Sequence, residues 1–148
     1  MKALTVYQPW ASLECLGLKG TETRSWSTSY RGPLAIHAGV KWNDYLRERQ
    51  RELHSYLVRH GALGLPGDLP RGVILAVGSL VDCLQVTEGN QTMFSAFDRI
   101  AGDLSLGRWA WVLEDVRPLR HPVPCRGMQG IWTVPGRAEA LILNRSDR

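Results

Sequence analysis

The sequence predicts an α+β domain in which short mixed strands close into a compact barrel and two helices are inserted early. Three observations lead there. Apolar runs of strand length recur between Gly- and Pro-rich turns, while two stretches in the first sixty residues have helical periodicity instead. A chain of 148 residues that is 44% hydrophobic can also bury a core without a disulfide or metal staple. No repeat, low-complexity tract or linker divides it, so residues 1–148 are expected to form one domain, with a C-terminal tail from about residue 137.

Taken in order, residues 2–7 are a β-prone run closed by Gln8-Pro9. Pro9 suits the first turn of a helix, where its missing N–H has no partner to lose. Trp10, Leu13 and Leu16 give that helix an apolar stripe, and Gly17 and Gly20 end it. The pattern becomes extended from Thr21 through Trp26, turns over residues 27–32, and continues as a buried strand over 34–38. Residues 42–60 are the longest helical stretch, with Trp42, Tyr45, Leu46, Leu53, Tyr56 and Leu57 on one face. Arg47, Arg49, Arg51 and Arg59 alternate with Glu48 and Glu52, as on a solvated helix face. A Gly/Pro-rich loop over 61–71 precedes a long strand, or a bent pair of strands, over 72–86. A short helix is expected around 92–100, a strand over 109–113, an edge or loop over 118–124 and a last strand over 130–134. Residues 144–148 have the composition of a frayed polar tail.

Composition narrows the function classes. Eighteen Lys and Arg stand against fourteen Asp and Glu, a net charge of +4 that is compatible with a polyanionic partner without requiring one. The six tryptophans, Trp10, Trp26, Trp42, Trp109, Trp111 and Trp132, suit either a core or a base-stacking platform. Trp42 and Trp111 are expected in the core. Cys15, Cys83 and Cys125 are far apart and form neither a CxxC pair nor a zinc spacing with histidine. Free thiols, no metal and no cofactor are therefore expected. The first residues are too short an apolar run for a signal peptide, and no stretch approaches the ~20 apolar residues of a membrane span. A soluble, cytoplasmic protein without membrane contact is the expectation.

The chemistry concentrates in one stretch. Lys19 lies in the helix-to-strand turn, and Glu22, Arg24 and Trp26 follow at period two, on one face of the strand. An arginine fork can grip a phosphate with two parallel bonds, and a carboxylate held between two cations stays ionised and accepts hydrogen bonds from a base edge. Trp26 adds a stacking surface. Gln8, Trp10, Ser12, Ser25, Tyr30 and Arg31 form the expected second ring. The same spacing also fits an exposed ion-pair cluster, which would contribute little. His37, inside an apolar strand, reads as a satisfied core or cleft-wall histidine, whereas the spacing leaves Asp82 undecided between cleft and strand end.

Gly17-x-Lys19-x-x-Glu22-x-Arg24 resembles the GxKxxExR signature of the ASCH domain. Gln8-Pro9-Trp10-Ala11-Ser12, Ser25-Trp26, Tyr30-Arg31-Gly32, the run from Pro70 to Leu75, Leu80-Val81-Asp82-Cys83 and Gly130-Ile131-Trp132 resemble the same family in the same order, over roughly residues 4–134. The resemblance implies a PUA-like β-barrel whose cleft is lined by the signature, and a link to RNA, DNA or modified nucleosides. It also suggests that Arg126 and Gly127 close the cleft from the far side.

Three functions follow as expectations. The first is a binding module for RNA or single-stranded DNA, or for a nucleotide or nucleoside, which needs only cations and stacking surfaces. The second is a metal-independent ribonuclease, with Glu22, Lys19, Arg24, Tyr30 and Arg31 supplying base, acid and charge stabilisation. The third is an amidohydrolase acting on acetylated cytidine. Relatives with that activity carry a threonine nucleophile where Glu22 stands here, and Thr21 and Thr23 are expected to face away from Glu22.

Overall fold

Apolar residues on both faces of the central strands require a layer on each side of the sheet. In the computed structural model, which describes residues 1–146, this split is plain in the first two central strands. Leu4 and Val6 of β1 (Lys2–Val6) enter one apolar cluster and Ala3 the other. Leu34, Ile36 and Ala38 of β3 (Gly32–Ala38) join the first, and Ala35 the second. Four more strands complete the sheet: β2 (Thr21–Arg24), β4 (Val73–Gln85), β5 (Trp109–Pro124) and β6 (Ile131–Thr133). Their order is β2-β5-β4-β3-β1-β6, with β1 and β3 parallel and every other neighbouring pair antiparallel. The sheet curls into a half-barrel, so the expected α+β class and barrel-like curvature are both present.

Helices cover its faces. α1 (Trp10–Cys15) and α2 (Asp44–Arg59) pack together through Leu13, Leu53 and Leu57, joined by Ala101 of α3 (Ala96–Ala101). Asn43 caps α2 by accepting from the Leu46 amide at 2.9 Å, and Ser95 caps α3 through the Asp98 amide at 3.0 Å. Each cap supplies a partner for one of the amides that the first helical turn leaves unpaired. The helix expected around 92–100 is a 3-10 turn, Gln91–Met93, followed by α3.

Two expectations change, the C-terminal tail and the burial of Trp42. The tail expected from about residue 137 is a helix, α4 (Gly136–Ser146). Ala138 and Ile142, one turn apart, bury against Ile74, Val123 and Trp132. Of the polar tail expected over 144–148, the part through Ser146 ends this helix, and the last two residues lie outside the described ones. Of the edge or loop expected over 118–124, the edge is found: it is the second half of β5, paired with Val73–Ala76 of β4. Prolines fit there because β2 pairs only with Trp109–Val112, so the second half of β5 has no further strand beside it among the described residues. Residues 73–85 form a single strand whose register with β5 shifts three times, which is how one long strand follows the curvature. Trp111 is wholly buried as expected, but Trp42 is only half-buried, with the Arg71 guanidinium 5.1 Å from its ring.

Trp111 sits at 0% exposure in the main cluster, contacting β2 as well as the sheet. Trp111→Ala is expected to cost about 3–5 kcal/mol. Urea unfolding would check this; a loss below about 1 kcal/mol would show that the half-barrel does not close on this ring.

Candidate functional site

The site begins where α1 stops. Gly17 takes φ +71°, a left-handed turn that suits glycine, and the Leu18 and Lys19 amides bond back to the Leu13 carbonyl. This hook turns the Lys19 side chain inward, and Lys19 is only 2% exposed. Its Nζ donates to the Thr21 carbonyl, lies 3.5 Å from Glu14 Oε1 and lies 3.9 Å from Glu22 Oε2. Glu22 Oε1 is in turn 3.1 Å from Arg24 Nε, and Arg24 Nη2 donates to the Thr5 carbonyl at 2.7 Å. The alternation along β2 thus yields a charge row, Glu14–Lys19–Glu22–Arg24, running from the interior to the cleft.

The two carboxyls in that row differ. Burial pushes Glu14 well above the usual carboxylate range, and the neighbouring charge of Glu22 pushes it further. Burial acts against Glu22 as well, but the neighbouring Glu14 carboxyl, together with Lys19 and Arg24, holds Glu22 below its ordinary value. The pair therefore keeps a proton on Glu14 under conditions where an ordinary glutamate has lost it, and Glu22 carries the charge.

Above the row opens a cleft of about 830 Å³. Tyr7, Trp10, Trp26 and Tyr45 give it aromatic surface, and Arg24, Arg49 and Arg108 give it positive charge; Lys19, Glu22 and Asp103 complete the charged lining. Trp26 is 38% exposed and stands edge-on to Trp111, with centroids 4.7 Å apart. Trp10 is fixed by donating from Nε1 to the Ala101 carbonyl at 2.6 Å. The far wall is Met128, Gln129 and Gly130. Gly127 lets that segment approach: a Cβ there would lie 2.6 Å from both His37 Cε1 and Thr5 Oγ1.

Of the expected residues, the structure brings Lys19, Glu22, Arg24, Trp26 and Trp10 to this cleft. It does not bring the others. Gln8, at 0% exposure, is a structural clip that donates to Ser12 Oγ and the Pro70 carbonyl, both at 2.8 Å, and accepts from the Ser12 amide. Ser12 is therefore consumed in the same clip. Ser25 is exposed and outside the lining. Tyr30 donates to the Pro33 carbonyl and packs on the core, while Arg31 bonds the Thr28 and Tyr30 carbonyls and lies 3.7 Å from Asp82. That contact also places Asp82 outside the cleft. His37 is buried, its Nε2 donating to the Cys125 carbonyl at 2.7 Å and its Nδ1 3.2 Å from Thr5 Oγ1, so it is a satisfied core histidine. Thr23, expected to face away from Glu22, also lines the cleft, and its carbonyl accepts from Arg108. The far wall is formed one to three residues beyond Gly127, not by Arg126.

Sequence reasoning missed Glu14, Arg49 and Arg108. Glu14 is the one charge in a short helix whose neighbours Ala11, Ser12 and Leu13 are also buried, and that contrast was its signal. Arg49 was read as part of a solvated face, but it lies three residues after buried Leu46, on the flank of the buried stripe. It bonds the Ile100 carbonyl at 3.1 Å and Glu52 at 2.7 Å at the cleft rim. Arg47 and Arg51 are exposed, as expected of such a face. The three cysteines are free thiols, and no metal-holding cluster occurs among the described residues.

The ASCH domain family model matches residues 4–121. Activating signal cointegrator 1 of Homo sapiens is 40% identical over 134 residues, covering 90% of this chain and 22% of that protein. The Mus musculus protein of the same name is 28% identical over the same lengths. The chain thus spans about a fifth of the curated relatives it matches. Among solved structures, an ASCH protein of Zymomonas mobilis aligns with a TM-score of 0.55, at 12% identity over 97% of this chain and 93% of that one. A point variant of it reaches a TM-score of 0.58. At that identity the likeness concerns the fold, which is PUA-like.

A raised carboxyl favours the fold at low pH and loses that contribution as pH climbs through its folded-state value. Glu14→Gln keeps the shape without the ionisation. Its unfolding free energy, taken from urea unfolding at each pH, is expected to decline less than that of the parent as pH rises. Parallel pH profiles for the two proteins would rule out Glu14 as the proton holder.

Proposed function

This chain belongs to the ASCH domain family, and we propose that it is a nucleic-acid-binding module whose cleft receives a single strand of RNA or DNA. The family is one linked to RNA binding. The observation that carries the reading is the juxtaposition of four aromatic side chains with Arg24, Arg49 and Arg108 around one open cleft. Single-strand recognition needs these two ingredients, flat faces for bases and cations for the backbone. The exposed part of Trp26 stacks a base, Arg49 and Arg108 attract phosphate, and Glu22 accepts hydrogen bonds from the base edge. Arg24 does double service, since its tie to Glu22 orders the carboxylate that reads the base.

Binding is favoured over the two catalytic readings by the state of Lys19. Its ammonium is buried and already engaged by Glu14, Glu22 and the Thr21 carbonyl, so it has little freedom to exchange protons with a substrate. The amidohydrolase reading further lacks its hydroxyl: Glu22 occupies the position, and the Thr21 hydroxyl is sealed in the interior.

Labelled RNA and DNA oligonucleotides titrated in chelator, at several salt concentrations, test the proposal. Trp26→Ala is expected to weaken binding by about 1–3 kcal/mol with little change in salt slope. Arg108→Gln should instead lower that slope by about one. Affinity that ignores both substitutions would refute the cleft as the binding site, and shortened RNA would replace the module with a ribonuclease.

A further inference from the structure

A second cavity, of about 580 Å³, lies on the other side of α2. Arg49 lines the first cleft, whereas Arg47 and Arg51, each two residues away and so on the opposite helix face, line this one. Arg71, Trp42 and His54 join them, and Asp68 is the single carboxylate in the lining.

The site is built rather than incidental. The Arg71 segment is clamped on both sides: the Pro70 carbonyl accepts from Gln8 at 2.8 Å, and the Gly72 amide donates to the Ala38 carbonyl at 2.7 Å. Its guanidinium lies over the Trp42 ring at 5.1 Å and has no carboxylate partner among the described residues. Buried Gln50 holds the opposing loop through the Pro66 and Gly67 carbonyls, at 2.9 and 3.1 Å. His54 Nδ1 accepts from the Leu65 amide at 2.9 Å, so its Nε2 carries the proton and is a donor. Arg47 and Arg51 are paired only with carboxylates one turn away on their own exposed helix face, Asp44 at 3.0 Å and Glu48 at 3.6 Å. Such pairs contribute little and yield readily to a stronger anion.

We propose that this cavity is a phosphate site, in which Arg47, Arg51 and Arg71 take a backbone phosphate of the strand whose bases occupy the cleft. The inference rests on the single-strand reading above. It adds a path: the strand leaves the cleft past Arg49 and crosses α2, about 10 Å across, to reach the second cavity. Cleft and cavity then divide the work, with base stacking on one side of the helix and charge on the other.

Binding of a short and a long oligonucleotide to the full chain, across a salt series, separates the possibilities. In the unmodified protein the long one should bind more tightly and with a steeper salt slope. Arg51→Gln with Arg71→Gln should lower the long oligonucleotide's slope by about 1.4 and leave the short one unchanged. Arg51→Glu should weaken the long one further, and matched circular dichroism and Tm would exclude misfolding. A long-oligonucleotide slope unmoved by these substitutions, while Trp26→Ala still weakens both lengths, would overturn the phosphate site and leave the cleft reading intact. No binding of either length by the unmodified protein would overturn both. Inorganic phosphate that shifts the Trp42 indole resonance, with oligonucleotide affinity indifferent to Arg51 and Arg71, would assign the cavity to a free phosphate and refute the path.

Discussion

An ammonium group taken out of water is the constraint around which this half of the molecule is arranged. Lys19 is as buried as a core leucine, and a lone charge there would be prohibitive. It is tolerated because the Glu22 carboxylate, the Glu14 carboxyl and the Thr21 carbonyl surround it. Removing one partner of such a buried set leaves an uncompensated charge, at a cost on the order of 3–5 kcal/mol. The signature spacing is thus first a folding requirement. Gly17 makes the hook, Lys19 enters the interior, Glu22 follows it, and Arg24 links the row to the Thr5 carbonyl in β1.

The placement of function follows from that arrangement. Glu14 and Lys19, at the interior end of the row, are 0% and 2% exposed, so the end that opens to the cleft is Arg24 with Glu22 beside it. Glu22 and Arg24 meet the cleft with their relative positions already set, which lowers the ordering cost of recognition. α2 has a corresponding double role, since its buried stripe holds the helical layer together while its flanks carry arginines toward two different cavities.

Much of this was legible in the sequence where local pattern decides the outcome. Short β-prone and apolar runs predicted β1 and β3, the extended pattern over 21–26 covered β2, and helical spacing predicted α1 and α2. The signature identified Lys19, Glu22 and Arg24 as one group, but it could not reveal depth. Alternation says which residues share a face and not which end of the row is sealed, so it does not show that Lys19 is buried. Gln8 and Ser12 were misread for a related reason: a polar pair beside a proline looks available until the Pro70 carbonyl, sixty-two residues away, is found to occupy it. Arg108 and the Met128–Gly130 wall depend on long-range strand pairing and on the close approach at Gly127, neither of which leaves a local trace.

The second half of β5, with β4 on one side and no further strand on the other among the described residues, has a consequence for how the protein behaves among copies of itself. An open row of backbone donors and acceptors would invite another chain to extend the sheet. Here Pro118, Pro122 and Pro124 interrupt the run of donors, and Glu114, Asp115, Arg117 and Arg120 place charge along the same stretch. On the single-strand reading proposed above, several copies on one ligand would bring many such margins close together. Prolines and charges at this edge oppose strand addition, so copies brought close together would not readily extend one another's sheets.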